Sequence, residues 1–451
     1  MFYRFFRFLA GITLRLFFRR IEVEGAANVP AAGPILLVPN HTNALVDPLL
    51  PLIVLNRKVT LTAKNVLAKN PLLFLLTKGL GAVPFHRAQD IAKGASPREN
   101  VRSMQRCRDI LATGGAICIF PEGISHSDLQ MREFHAGPAR IALDFVRKDH
   151  NPGRLQIVPV GLLYQHKNRF RSDVWLRFGE PYDLAGWLDA HPNARHEDVT
   201  ADFRRRVEEL ILSYHDRREM LLVTWASDIV ATEGRMPRAL GSTEPSVAES
   251  FRRLAFLQSG YRELLDTHAA DIESLGARIR AYQADLKRHG VTTADVYLPL
   301  SPLRAVLFLI RELELLLVGF PLAVFGFLNH LLPYLCVRTF ARALSTDKDH
   351  WATNVIYPSF ILFPLFYVLQ LTAAWIFIAH FWAILYTVAL PYTGYYCLLY
   401  HDRVSVARHR ARTFLYFIFH RTAQIRLAAE GRDILSGIYA LAVHLQSKGS
   451  A

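Results

Sequence analysis

Trp351 to Tyr400 contains no Asp, Glu, Lys or Arg. A membrane-spanning helix needs about 20 apolar residues, so this stretch is long enough for a hairpin of two crossings. Arg338, Arg342 and Lys348 precede it, and Arg403, Arg408, Arg410 and Arg412 follow it. Basic flanks belong on the cytoplasmic side, so an even number of crossings is expected between them. The segment before it, Pro302 to Cys336, is also apolar from Leu315 onward, with Asn329 and His330 as polar breaks and Pro321 and Pro333 as expected kinks. Arg311, Glu312 and Glu314 interrupt its first half. By the same charge argument this segment should dip into the bilayer and return, or lie in its interface. Half of the chain is hydrophobic (51%) and the net charge is +14, from 53 Lys and Arg against 39 Asp and Glu. Basic and apolar together point to membrane lipids with anionic headgroups as partners, ahead of nucleic acid. The four cysteines, Cys107, Cys118, Cys336 and Cys397, form neither a disulfide framework nor a C-x-x-C pair, so a reducing compartment is expected.

The N-terminal residues, 1–20, read as a helix in which Phe, Leu and Ile surround a stripe of Arg4, Arg7, Arg15 and Arg19. That is the pattern of an amphipathic helix lying in the headgroup layer, with a packing helix of a soluble domain as the blander alternative. From Ile21 the pattern alternates. Strand-like runs occur at Ile21–Glu24, Ile35–Val38, Val59–Ala63, Ala82–Phe85, Ala116–Phe120, Leu155–Leu163 and Val174–Phe178. Helix-like runs lie between them at Pro48–Leu55, Val66–Lys78, Arg98–Leu111 and Pro138–Lys148, and a last one follows at Val199–His215. This order predicts an α/β domain with a central sheet. The expected organisation is an interfacial helix (1–20), this domain (21–216), a polar helical region with a hairpin (217–300), membrane-embedded helices (301–400) and a basic helical tail (401–451).

Four short stretches beside the expected strands carry chemistry. The first is Asn40-His41 with Asp47; the second runs from Gly81 through Phe85 to Arg87. The third is Phe120-Pro121-Glu122-Gly123-Ile124-Ser125-His126, and the fourth is Ile157-Val158-Pro159-Val160-Gly161. A histidine with a carboxylate to orient it can take a proton from a hydroxyl. No cysteine or G-x-S-x-G serine lies near it, which assigns the hydroxyl to the substrate. No dinucleotide or Walker loop is present, and His86, His126 and His135 lack the spacing of a metal site.

The four stretches, in this order, resemble the glycerolipid acyltransferase family over about Val23 to Leu188. The resemblance implies a central mixed sheet flanked by helices, facing the membrane from the cytoplasmic side. It implies acyl transfer from acyl-CoA or acyl-carrier protein to a glycerol phosphate acceptor, with no cofactor and no metal. It makes His41 the base and Asp47 its orienting partner. Arg87 would bind the acceptor phosphate, Glu122 and Gly123 would shape the acceptor site, and Pro159 would lie near the acyl donor. Phe85, Pro121 and Ser125 complete the expected substrate-binding set, with His126 beside Ser125. Backbone N–H groups near Gly123 are candidates for the oxyanion, and Lys64 is a candidate second charge for the phosphate.

Most members of the family have four residues between the His and the Asp; here there are five, Thr42 to Val46. On one helix His41 and Asp47 would sit about 240° apart, so His41 must lie outside the helix, with Asn43 as a turn or cap residue. This wording, and Pro-Glu-Gly followed by Ser-His, is most similar to the glycerol-3-phosphate/dihydroxyacetone-phosphate acyltransferase branch. A 1-acylglycerol-3-phosphate acyltransferase, a non-catalytic lipid-binding membrane module and a thioesterase stay open as alternatives.

Overall fold

The strand-like runs of the first half all become strands, and they assemble into one mixed sheet. A computed structural model describes residues 2–64, 77–86, 96–148, 154–232, 246–298, 302–344 and 351–448. Arg87 and most of the helix expected over Val66–Lys78 lie outside the described residues. The strands are β1 (Phe18–Glu24), β2 (Ile35–Pro39), β3 (Val59–Lys64), β4 (Val83–Phe85), β5 (Ala116–Cys118), β6 (Gln156–Tyr164), β7 (Ser172–Phe178) and the short β8 (Tyr182–Asp183). The helices among them are α1 (Phe2–Phe17), α2 (Val46–Val54), α3 (Pro97–Ala112), α4 (Gly137–Lys148), α5 (Leu184–Ala190) and α6 (His196–Glu208). The sheet order is β1-β7-β6-β2-β5-β3-β4, with β8 on β6. Pairing is parallel except at β6 with β7 and at β6 with β8.

Alternation along each strand feeds two cores. In β2, Ile35 and Leu37 enter a core shared with Leu14 and Phe17 of α1 and with Leu49, Leu50 and Leu52 of α2. Leu36 and Val38 enter the opposite core, with Leu111 of α3, Ile141 of α4 and Phe203 of α6. A fully sandwiched strand needs no polar side, which is why Ile35–Val38 reads as an unbroken apolar run.

Two arginines of the expected N-terminal stripe are used by the protein itself. Arg7 donates to the carbonyls of Ile53 (3.3 Å) and Leu55 (2.6 Å) at the end of α2. Arg19 is not on the helix: α1 stops at Phe17, and Arg19 binds Asp173 of β7 bidentately at 3.0 and 2.8 Å. The β-sheet partner overrides the helical periodicity there. What α1 leaves exposed is a stripe of Phe2, Phe5, Phe8, Ile12 and Leu16, with Arg4 and Arg15 also exposed.

The chain divides into two compact units, and the sheet unit is discontinuous: it comprises Met1–Ser213 together with Val337–Phe363. Ala352, Ile356 and Tyr357 are buried in the core that also holds α1 and α2. The second unit contains α7 (Arg217–Val230), α8 (Val247–Leu265), α9 (Ala269–His289) and the single turn α10 (Thr293–Val296). The expected hairpin is α8 and α9. Ser246 caps α8 by accepting from the Glu249 N–H (2.9 Å), and Gly290 ends α9 at φ +66°.

The long helices are α11 (Pro302–Leu344), α12 (Trp351–Phe377), α13 (His380–Phe419) and α14 (Arg421–Lys448). Pro302 to Cys336 does not turn back within itself. It belongs to one continuous helix, because its two polar breaks bond to their own backbone: Asn329 donates to Phe325 O (2.8 Å) and His330 Nδ1 to Gly326 O (2.7 Å). With Nδ1 protonated, His330 Nε2 accepts from the Tyr367 hydroxyl at 2.8 Å, a hydrogen-bonded packing role. Among the described residues, Ile310–Ala343 and Trp351–Phe377 are long and apolar enough to cross a membrane. The hairpin expected over Trp351–Tyr400 does break into α12 and α13. However, α13 does not reach the same apolarity, since Thr387, Thr393, Gly394, Tyr395 and Tyr396 dilute it.

Candidate active site

Parallel pairing brings the ends of β2, β5 and β6 to one edge of the sheet, the place where α/β folds collect functional groups. His41 follows β2, Glu122 follows β5, and Tyr164 closes β6. β6 is aligned with Val160 opposite Pro39, so it runs on past the end of β2. Asn40 holds this extension as a strand would: its side chain donates to Leu162 O (3.1 Å) and accepts from Leu162 N (2.7 Å).

His41 Nδ1 lies 2.9 Å from Asp47 Oδ2. A carboxylate there makes Nδ1 the protonated ring nitrogen and leaves Nε2 as the acceptor. The five-residue spacing is accommodated as the helix geometry requires: His41 stays outside α2, and Asp47 is in its first turn. The Asn43 carbonyl accepts from Val46 N (2.9 Å) and Asp47 N (3.2 Å), and Ala44 takes a left-handed φ of 31°. Asp47 Oδ2 also accepts from the backbone N–H of Thr42 and of Asn43, both at 2.7 Å. Its other oxygen accepts from the Tyr164 hydroxyl. The carboxylate is fully buried and takes four donors, three on Oδ2 and one on Oδ1. The Phe120 ring covers the imidazole, with centroids 4.3 Å apart.

Glu122 is also fully buried. It accepts from His41 N at 2.6 Å, from Arg132 N at 3.0 Å and from His126 Nε2. His126 is buried with both ring nitrogens engaged, since Nδ1 accepts from Asp128 N at 3.2 Å. It therefore braces Glu122. Lys167, in the turn after β6, donates to Thr42 O (2.6 Å) and His126 O (2.8 Å), tying the first and third stretches together.

The remaining expected residues separate. Gly123 has φ +70°, and a Cβ there would come within 2.9 Å of His135. Its N–H donates to Phe120 O (3.1 Å), so it closes a turn and is not free for an oxyanion. Pro121 is buried and accepts from His135 N (2.8 Å). Ser125 is half-buried in the same loop. Phe85 ends β4 and packs against the second core, and Lys64 pairs with it in register at the end of β3. Pro159 is not at the edge: it lies inside the sheet opposite Val38, with Gly179 N donating to its carbonyl. Arg87 lies outside the described residues. Among the described residues no cluster of His, Cys, Asp and Glu could hold a metal.

Residues 20–163 match the Acyltransferase family. This segment is a domain of the glycerolipid acyltransferase family. The chain is 32% identical over 189 residues to glycerol-3-phosphate O-acyltransferase 1 of Saccharomyces cerevisiae, covering 40% of this chain and 23% of that protein. It is 27% identical over 126 residues to the chloroplastic 1-acyl-sn-glycerol-3-phosphate acyltransferase LPAT1 of Arabidopsis thaliana, covering 28% of this chain and 33% of that one. It thus spans a third or less of the length of these two curated relatives. A solved 1-acyl-sn-glycerophosphate acyltransferase from Thermotoga maritima aligns over 46% of this chain and 76% of its own, at 19% identity and a TM-score of 0.35.

Within the acyltransferase domain, sequence reasoning missed Tyr164, Lys167 and Phe120 as neighbours of the dyad. Phe120 stood inside the third stretch, and its closeness to His41 follows once β5 is placed beside β2. Tyr164 and Lys167 lie more than a hundred residues from Asp47 and Thr42 and carry no local motif.

Proposed function

We propose that this protein is a membrane-bound O-acyltransferase that moves an acyl group from acyl-CoA or acyl-carrier protein to a hydroxyl of glycerol 3-phosphate or dihydroxyacetone phosphate. The observation that carries this reading is the buried His41–Asp47 pair at the edge of the sheet, inside the matched segment. His41 Nε2 takes the proton from the acceptor hydroxyl as its oxygen bonds to the thioester carbonyl carbon. The C–S bond then breaks, and the leaving thiolate takes the proton from His41. An ester and a free thiol result, without an acyl-enzyme. General-base help of this kind is worth about 100- to 10,000-fold, because an alcohol is a poor nucleophile near neutral pH. Asp47 keeps the imidazole in one tautomer and stabilises its protonated form. Arg87 is the proposed phosphate ligand, for its permanent charge and forked donors.

The sheet unit is proposed to work on the cytoplasmic face, in keeping with the basic residues that flank the apolar segments. The exposed aromatic stripe of α1 would enter a bilayer containing anionic lipids. The test is transfer of labelled acyl groups in detergent or liposomes, with glycerol 3-phosphate, dihydroxyacetone phosphate and 1-acylglycerol 3-phosphate in parallel. The expected result is transfer to the small water-soluble phosphates, lost in His41→Ala. Transfer to 1-acylglycerol 3-phosphate alone would keep the chemistry and move the acceptor. Wild-type turnover by His41→Ala would overturn the mechanism.

A further inference from the structure

Asp47 has an unusual second partner. Its Oδ2 serves His41 and two backbone N–H groups, whereas Oδ1 faces the Tyr164 hydroxyl at the end of β6. The geometry points to Tyr164 as a positioning residue that sets the pH range in which His41 acts as a base, by sharing the negative charge of Asp47. This rests on the acyl-transfer reading above.

A phenol can only donate to a carboxylate if it keeps its proton. Burial holds the Tyr164 proton on, and the charge and hydrogen bond of Asp47 add to that, so its pKa stands well above the ordinary tyrosine value. The ring is held by packing and not by the hydroxyl alone: it lies 5.8 Å from Phe18 and joins the core under α1. Other described ionisable groups near the pair have partners of their own. Glu122 binds the His41 backbone N–H, His126 and Lys167 bind carbonyls or carboxylates of the same loops, and Asp128 lies against His126. The Cys118 thiol, pushed up by burial and then by Asp47, stays neutral. Tyr164 is thus the one side-chain hydroxyl among the described partners that touches the carboxylate.

The sign follows. Without the phenol, the Asp47 charge is less compensated and stabilises the imidazolium more strongly. The acidic limb of the activity profile then moves up. We expect Tyr164→Phe to move that limb up by about half to one pH unit, a loss of about three- to tenfold on the limb. A tyrosine that merely supported the fold would lower the plateau at all pH values and leave the limb in place.

The experiment uses the full chain in detergent. The pH profile of kcat/KM is compared for wild type, Tyr164→Phe, Asp47→Asn and the double variant. Modification of the His41 peptide by diethyl pyrocarbonate against pH, read by mass spectrometry, gives the same midpoint without any acyl donor. It therefore tests the tyrosine even if the wild type transfers no acyl group, an outcome that would sink only the functional reading. Tyr164→Phe should raise both midpoints, and no further rise should occur in the Asp47→Asn background. If Tyr164→Phe does not fold, 3-fluorotyrosine at position 164, a stronger donor of nearly the same shape, should move both midpoints down. Unmoved midpoints in a folded variant, or an equal rise without Asp47, would overturn the inference.

Discussion

Replacing Glu122 by Gln tests whether the third stretch acts as an internal brace or as a substrate contact. The carboxylate accepts three donors in a fully buried position: His41 N (2.6 Å), Arg132 N (3.0 Å) and His126 Nε2. A glutamine of the same shape has one accepting end. If its oxygen faces Arg132 and His126, its NH2 meets the His41 N–H, donor against donor. If it faces the other way, the NH2 meets the Arg132 N–H, and His126 can relieve its own clash only by moving its proton to Nδ1, where the Asp128 N–H already donates. Either way at least one charge-assisted bond is lost, at about 1.5–3 kcal/mol, and a buried donor is left unpaired, at about 1–3 kcal/mol. We take about 3 kcal/mol, the low end of the sum, to allow for relaxation. For a domain of this size that lowers the melting temperature by roughly 6–12 °C. Trp175, buried in β7 of the same unit, provides a fluorescence signal for the melt. The freed His41 backbone also lets the imidazole drift, which should cost about 100-fold in acyl transfer. A Glu122→Gln protein that melts within about 1 °C of wild type, or keeps more than about half its activity, would refute the brace.

The Asp173 carboxylate is raised by burial, but hydrogen bonds from Arg19 and Arg20 outweigh this and leave it below the ordinary range. Its folded pKa is thus below the unfolded value of about 3.9, so its stabilisation is complete above about pH 4 and lost as pH falls through the folded value. Asp173→Asn should cost about 2 kcal/mol at pH 7, discounted because both arginines are about a third exposed (32% and 31%), and should flatten the acid limb of the melting temperature against pH. Phe5→Glu with Phe8→Glu changes two exposed residues (58% and 66%), so the melt should hold while the dependence of activity on anionic lipid in nanodiscs falls at least about tenfold. Burial pushes the Cys107 thiol up to about 12 and leaves Cys118 fully enclosed, so N-ethylmaleimide at pH 7.5 should leave these two cysteines unmodified in the folded protein, read by peptide mass spectrometry.

The sheet was legible because burial on both faces writes long apolar runs, and Ile35–Val38 and Leu155–Leu163 have no other reading in a chain with turns on either side. The pair was legible because a His and an Asp follow the end of a strand-like run in the pattern that carries the family resemblance, and their spacing required only that His41 stand outside the helix. Arg19 was misplaced because periodicity continues smoothly past Phe17, while the residue that decides its fate, Asp173, lies 154 positions away. Which N–H groups near Gly123 are free was not legible because sequence does not record the direction of an N–H, and the place of Pro159 within the sheet was not legible because register is set by neighbouring strands. Asn329 and His330 read as breaks in an apolar run, yet each satisfies a carbonyl four positions back and the helix passes through them.

Ala352, Ile356 and Tyr357 complete a core whose other members end at Phe178. The Thr353 hydroxyl accepts from Leu45 N (3.4 Å) in the very loop that carries the extra residue between His41 and Asp47. During synthesis the ribosome must therefore add some 170 further residues after β7 before that core can close. At about 5–20 residues per second this is a wait of roughly 9–35 seconds with apolar surface uncovered. The residues that end the wait open α12, one of the two helices among the described residues that are long and apolar enough to cross a membrane. On the proposed acyl-transfer reading, the working geometry would form only once synthesis has reached this apolar helix, so chains that stall before it would stay inactive.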